Sequence, residues 1–101
     1  MTLDFPAQHW PELQRILRKW TTGFDVLAYG SRVTGQSHAA SDLDLALRNS
    51  ADPQKKFSSL VELKEDLRES NLPMQVDVMD WARIPKSFHA SIEAAHVVLH
   101  L

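Results

Sequence analysis

The sequence predicts an α/β (mixed α+β) domain, a small mixed β-sheet of three to four strands with helices packed on it. Three observations carry this. Apolar residues recur at helical spacing in three segments, short apolar runs rich in β-branched and aromatic residues alternate with them, and turn formers separate the two. With 101 residues, positions 1–101 are expected to form a single domain whose core leaves little area for a separate substrate-binding unit.

The first element is a helix from about Pro11 to Trp20, with Trp10, Leu13, Ile16, Leu17 and Trp20 on one apolar face. Pro11 suits its first turn, and Gly23 ends it. Phe24 to Tyr29 reads as a strand stopping at the turn Gly30-Ser31, which opens a tight turn or short helix. Leu43 to Leu47 is a second strand. Asp52-Pro53 then looks like an N-cap with proline at the first helical position, opening a helix whose buried stripe is Phe57, Leu60, Val61 and Leu67. That helix stops near Asn71-Leu72-Pro73. Met74 to Met79 is a third strand. Pro85 opens a last helix to about Ala95, with Ile84, Phe88, Ile92 and Ala95 facing inward, and Val97 to Leu101 is placed to add an edge strand.

Composition narrows the function classes. A content of 44% hydrophobic and 24% charged residues is that of a globular domain, which excludes a fibrous repeat or a disordered tail. The net charge of −2, with basic residues such as Arg15, Arg18 and Lys19 scattered on a helix face, offers no stripe for phosphate backbones, so no direct nucleic-acid binding is expected. The absence of cysteine excludes disulfides and a thiolate zinc site. No apolar run is long enough to span a bilayer and no signal peptide opens the chain, so the expectation is a cytoplasmic protein with no membrane association.

Asp42 and Asp44 sit two apart at the start of a predicted strand, so their carboxylates share a face. Like charges held together call for a cation between them. Mg²⁺ fits, because it takes oxygen ligands and keeps positions for water and substrate phosphates; Mn²⁺ can substitute. Asp77, inside another strand, supplies a third carboxylate, within reach if the strands are neighbours at roughly 5 Å. Such a trio can hold two ions that clamp the attacking and leaving oxygens of a phosphoryl transfer. Upstream, the backbone of Gly30 and Ser31 and the Ser31 hydroxyl are expected to bind phosphate, with Arg32 and Ser41 as further nucleotide contacts. Arg32 reads equally as a structural ion pair. Gly35 permits the turn that returns the chain to Ser41. Each signal alone is weak; their order and spacing are specific.

The run Gly30-Ser31-Arg32, then Gly35, then Ser41-Asp42-Leu43-Asp44-Leu45, resembles the signature of the DNA polymerase β-like nucleotidyltransferase superfamily. There Gly-Ser is followed ten residues later by Asp-x-Asp, and Arg32 to Ser41 is that interval. Val76-Asp77-Val78-Met79-Asp80-Trp81 looks like the third-carboxylate strand. At this length the chain is most similar to the minimal nucleotidyltransferases of bacteria and archaea, and the likeness covers nearly all of it. The resemblance implies a polymerase β-like fold, a Mg²⁺-nucleotide site for ATP or another NTP, and a small helical HEPN-domain partner in a hetero-oligomer. In the type VII toxin–antitoxin form, such a protein is an antitoxin that transfers AMP from ATP onto the HEPN toxin. Carried onto this sequence, Gly30 and Ser31 bind phosphate, Asp42 and Asp44 hold metal, and Asp77 is the third catalytic carboxylate. The family often has alanine where this chain has Val33, and a basic residue where it has Thr34.

Rival readings attach to several residues. Asp80 competes with Asp77; Asp77 is preferred because Val76 and Val78 suggest a buried position where a carboxylate needs a reason, whereas Asp80 reads as a turn residue. His96 and His100 are four apart but in an extended segment, with no third ligand, so zinc is not expected. His38 reads as a solvated loop residue. Trp10 and Trp20 are core, and Trp81 is a candidate interface residue. The function is read as nucleotidyl transfer to a hydroxyl of a partner protein, against a contact-only module that keeps the fold. An antibiotic- or RNA-modifying transferase would need an acceptor domain or basic surface that the chain lacks.

Overall fold

A computed structural model describes residues 2–101. Four helices and four strands follow in the order α1 (Trp10–Trp20), β1 (Phe24–Tyr29), α2 (Ser31–Thr34), β2 (Leu43–Asn49), α3 (Leu60–Arg68), β3 (Val76–Asp80), α4 (Lys86–Ala94) and β4 (Val97–Val98). Single 3-10 turns precede α1, at Ala7–His9, and follow β3, at Trp81–Arg83. The sheet order is β3-β2-β1-β4. β1 is antiparallel to both β2 and β4, whereas β2 and β3 run parallel, joined by a crossover through α3. The expected mixed sheet with packed helices is the one observed.

Alternation along the strands divides the sheet into two faces. Val26 and Ala28 of β1, Leu43, Leu45 and Leu47 of β2, and Val78 of β3 turn to one side, where they meet Leu13, Ile16 and Leu17 of α1 and Leu63 and Leu67 of α3. α1 closes this layer because its apolar positions fall on one stripe. Trp20 ties α1 to α3 by donating its indole N–H to Asp66 at 2.9 Å. Leu27 and Ala46 turn to the other side, under Trp81 and Ile92, with Tyr29, Ile84 and Phe88 packed around them. This second layer is smaller. It covers only part of its face, so polar residues near the start of β2 and β3 stay accessible.

Four expectations need correction. Asp52-Pro53 does not open a helix: the Asp52 carboxylate accepts from the Gln54 backbone in an isolated turn, and α3 begins at Leu60. Asp and Pro stabilise such a turn as readily as a helix start. Val61 is 67% exposed and lies outside the buried stripe, which is completed by Leu63 instead. Phe57 is buried, but from the loop before α3, edge-on to Phe24. Trp81 is 4% exposed, stacked on His89 with Arg48 over its ring, and is core rather than interface.

Candidate nucleotidyl-transfer site

The site lies at one end of the sheet, on the sparsely covered face. Register brings it together: Asp44 of β2 pairs directly with Asp77 of β3 on one side and with Tyr29 of β1 on the other. Odd and even positions are fixed by the core, because Leu43, Leu45 and Leu47 must face α1 and α3; Asp44 therefore has to face away. The same logic applied to Val78 turns Asp77 to the same side. Gln75 donates its amide to the Asp77 carboxylate at 3.1 Å and fixes its orientation.

β1 ends at Tyr29, and the chain then makes the turn that carries α2. Gly30 adopts φ 80, ψ −158, a conformation almost restricted to glycine. Space imposes a second requirement: a Cβ here would lie 2.5 Å from Asp44 Oδ2. The glycine therefore lets the turn that opens α2 and the Asp44 carboxylate approach each other. Val33 and Thr34 close α2 by donating to the Gly30 carbonyl.

Arg32 has a different role from the one expected. Its side chain is 3% exposed and its guanidinium donates to the carbonyls of Ser41 at 3.0 Å, Asp4 at 3.0 Å, Ala39 at 3.2 Å and His38 at 3.4 Å. It clamps the loop leading to Asp42 instead of facing a phosphate. Five donors in a rigid fork suit Arg to several backbone acceptors at once, a use that sequence alone does not separate from phosphate binding. The Ser41 hydroxyl likewise accepts from the His38 backbone, closing the same loop. His38 is exposed there.

Asp42 stands just outside β2 and is exposed. Among the described residues, no three His, Cys, Asp or Glu side chains come together as a metal-holding cluster, so the expected trio is not assembled as one. What the fold assembles is a facing pair, Asp44 and Asp77, with Asp42 at the approach. Burial, then Asp77, then Asp42, raise the Asp44 carboxyl above its ordinary value. Among the described residues no Lys, Arg or His forms an ion pair with any of the three. Uncompensated oxygen donors of like charge are the donor set that a hard divalent cation requires, so the Asp44–Asp77 pair fits such a cation.

Tyr29 was not singled out by its sequence position, although it directly precedes Gly30. Its ring packs edge-on against Phe88 of α4, and its hydroxyl is pushed up to about 12, first by burial and then by Asp44 and Asp77. Asp80, the rival carboxylate, faces the opposite side. It is 2% exposed and accepts from the Phe57 backbone at 2.9 Å, the Ala82 backbone at 3.2 Å and Arg83 at 3.0 Å. The burial argument that favoured Asp77 was thus misplaced, since Asp80 is the buried one. Register selects Asp77.

A glycine turn set against facing carboxylates at the end of a mixed sheet defines a class, the nucleotidyltransferases. Comparison with known proteins makes this specific. Residues 12–100 match the family model for polymerase beta, nucleotidyltransferase, and the chain belongs to that family. It is 35% identical over 97 residues to the probable protein adenylyltransferase MntA of Haemophilus influenzae, covering 96% of this chain and 83% of that protein. Two solved structures share the fold. A toxin–antitoxin crystal structure with AMP-PNP superposes with a TM-score of 0.70 at 20% identity, covering 89% of this chain and 71% of that one. A mutant MntA-HpeT toxin–antitoxin structure gives 0.68 at 20% identity, covering 89% and 70%.

Proposed function

We propose that this chain is a Mg²⁺-dependent protein adenylyltransferase that moves AMP from ATP to a hydroxyl of a partner protein. The partner is a HEPN toxin, and the chain acts as its antitoxin. The observation that carries the reading is the Asp44–Asp77 pairing across β2 and β3, beside the Gly30 turn. The relative named as a probable protein adenylyltransferase and the AMP-PNP present in a toxin–antitoxin structure of the same fold support the same choice of reaction and nucleotide.

In this reading Asp42, Asp44 and Asp77 would hold the divalent ions, with Asp42 and Asp44 nearer the nucleotide. When bound, the ions supply charge neutralisation at the phosphates and at the attacking and leaving oxygens. Gly30 and Ser31 bind phosphate through the first-turn N–H groups of α2 that have no intrahelical acceptor, with the Ser31 hydroxyl as an added donor. The Asp77 carboxylate takes the proton of the acceptor hydroxyl as its oxygen attacks the α-phosphorus; the bond to the bridging oxygen breaks and pyrophosphate leaves. Tyr29 stays a neutral donor beside the pair.

The test is the intact mass of the HEPN partner after incubation with this chain and Mg-ATP. The reading requires an added AMP mass that disappears with EDTA. Neutralisation of the partner without any added mass would instead identify a contact-only module.

A further inference from the structure

A cleft of ≈ 410 Å³ opens along the sheet edge where α3 meets β3, and Asp77 is part of its lining. Leu67, Met74 and Val76 make its wall apolar, and Lys64 and Arg68 stand at its lip. These two cations are one helical turn apart on α3, so they share a face. Both are exposed, and neither forms an ion pair among the described residues. Val61, one turn before Lys64, is 67% exposed and extends the same face with an apolar contact.

We propose that this cleft docks the acceptor polypeptide, through acidic residues that flank the hydroxyl to be modified. The inference rests on the transfer reading above and adds the chemistry of the acceptor. The sheet order supplies the geometric argument. The Gly30 turn ends β1, Asp44 lies on β2, Asp77 lies on the edge strand β3, and the cleft lies at that edge. The facing carboxylates therefore separate the phosphate-binding turn from the cleft. In-line displacement needs the attacking oxygen opposite the leaving group. With the phosphates on the β1 side, the hydroxyl arrives round the β3 edge, at the end of the cleft that Gln75 and Asp77 line.

Charge identifies the occupant. The molecule carries a net −2, yet the lip of this cleft presents two cations with no ion-pair partner among the described residues. Two cations suit one or two carboxylates of a polypeptide. An RNA backbone, with a charge at every nucleotide, calls for a longer basic stripe.

Fluorescence anisotropy tests the proposal in Mg²⁺ and a non-hydrolysable ATP analogue, which together neutralise the site carboxylates. The probes are a short labelled peptide with a central serine flanked by glutamates, the same peptide with lysines for glutamates, and an RNA of matched length. The acidic peptide should bind the full chain at least ~10-fold tighter than the basic one. Lys64→Glu with Arg68→Glu should abolish that preference while binding of the ATP analogue is unchanged. Both positions are exposed, so the double variant should keep its fold, and Lys64→Ala with Arg68→Ala at an unaltered melting temperature repeats the test without added charge. Equal binding of the two peptides, or full binding by the charge-reversed variant, overturns the proposal. Preferential binding of the RNA overturns it in favour of nucleic acid. An AMP-transfer failure with peptide preference intact removes the transfer reading alone; lost preference with transfer intact removes the cleft alone.

Discussion

Asp44 and Asp77 face each other across the parallel β2–β3 pair, and no cation among the described residues is paired with either. The fold holds this repulsion in place because the apolar neighbours on both strands fix which way each aspartate points.

The first prediction concerns the metal-free protein. Asp44 has its carboxyl raised in the folded state by burial and by its two acidic neighbours. A raised folded pKa means that the group stabilises the fold fully below its unfolded value, and that this contribution is lost as pH rises through the folded value. At neutral pH Asp44 is then a net cost. In EDTA, Asp44→Asn should melt higher than the wild type at pH 7, and the gain should vanish as pH falls below about 4. Thermal scans across that range measure it; a variant melting lower at neutral pH would contradict the electrostatic account. Mg²⁺ should stabilise the wild type and not the variant.

Tyr29 gives a second, spectroscopic prediction. It is the single tyrosine of the chain, so phenolate absorbance reads it alone. Burial and the adjacent carboxylates push it up to about 12, so it should be almost entirely protonated at pH 10. Its contribution to stability is complete below its unfolded value of about 10 and declines as pH rises toward 12. Tyr29→Phe should flatten that decline. Half-ionisation near pH 10 in the folded chain would show that neither burial nor the two carboxylates raises the hydroxyl.

Gly30→Ala combines two costs. The backbone conformation at φ 80, ψ −158 is strained for alanine, by roughly 1–3 kcal/mol. The added methyl would also meet the Asp44 carboxylate, at 2.5 Å. Gly23 serves as the control, since it too has positive φ but open space around it. Both alanine variants should lose stability in urea melts, but only Gly30→Ala should lose Mg-ATP binding by calorimetry. Equal ATP affinity in the two would remove Gly30 from the site.

Much of this arrangement was legible in the residue order, for physical reasons. The alternation Leu43-Asp44-Leu45 forces Asp44 away from the core, and the Gly30-Ser31 to Asp42 interval is a chain-length constraint that one sequence displays. What was not legible depends on tertiary partners. Asp80 looked like a surface turn residue because its buried partner, the Phe57 N–H, is 23 positions away. Arg32 looked like a phosphate ligand because guanidinium chemistry is the same toward a phosphate and toward four carbonyls. Val61 and Leu63 differ by two positions on α3, and only the packing of α3 against α1 and β3 decides which is covered.

Arg32 yields the fourth prediction. Its guanidinium holds the carbonyls of Asp4, His38, Ala39 and Ser41, so it fixes the loop that delivers Asp42. A lysine keeps the charge but cannot fork to four acceptors. Arg32→Lys should destabilise the fold by about 1–3 kcal/mol, the cost of losing charge-assisted hydrogen bonds to the loop carbonyls. It should also weaken Mg²⁺ binding by about 10-fold, as loss of a positioning contact does at metal sites. Calorimetry at a temperature where the variant is folded separates the two effects. If Mg²⁺ affinity is untouched, the clamp is structural only.

The last prediction sets Asp77 against Asp80, two aspartates three positions apart on one strand. Asp77 faces Asp44 on the open side of the sheet and accepts from the Gln75 amide. Asp77→Asn keeps the shape, relieves like-charge repulsion and leaves Asp42 and Asp44 to hold the nucleotide-bound ion. Folding and Mg-ATP binding should survive. Transfer of labelled AMP should fall by about a hundredfold or more, because the acceptor hydroxyl loses its proton acceptor and the second ion loses a ligand. Asp80 faces the core side, where its carboxylate satisfies the backbone N–H of Phe57 and of Ala82 and pairs with Arg83. Asp80→Ala leaves the Phe57 N–H buried without an acceptor, at a cost of about 2–4 kcal/mol with the other two contacts included. It should lower the urea midpoint markedly, while any fraction that remains folded keeps its transfer rate. Denaturation curves and label transfer on the same two variants therefore give opposite patterns. If Asp77→Asn transfers AMP at the wild-type rate while Asp80→Ala is stable and inactive, Asp80 is the catalytic carboxylate and the register argument fails.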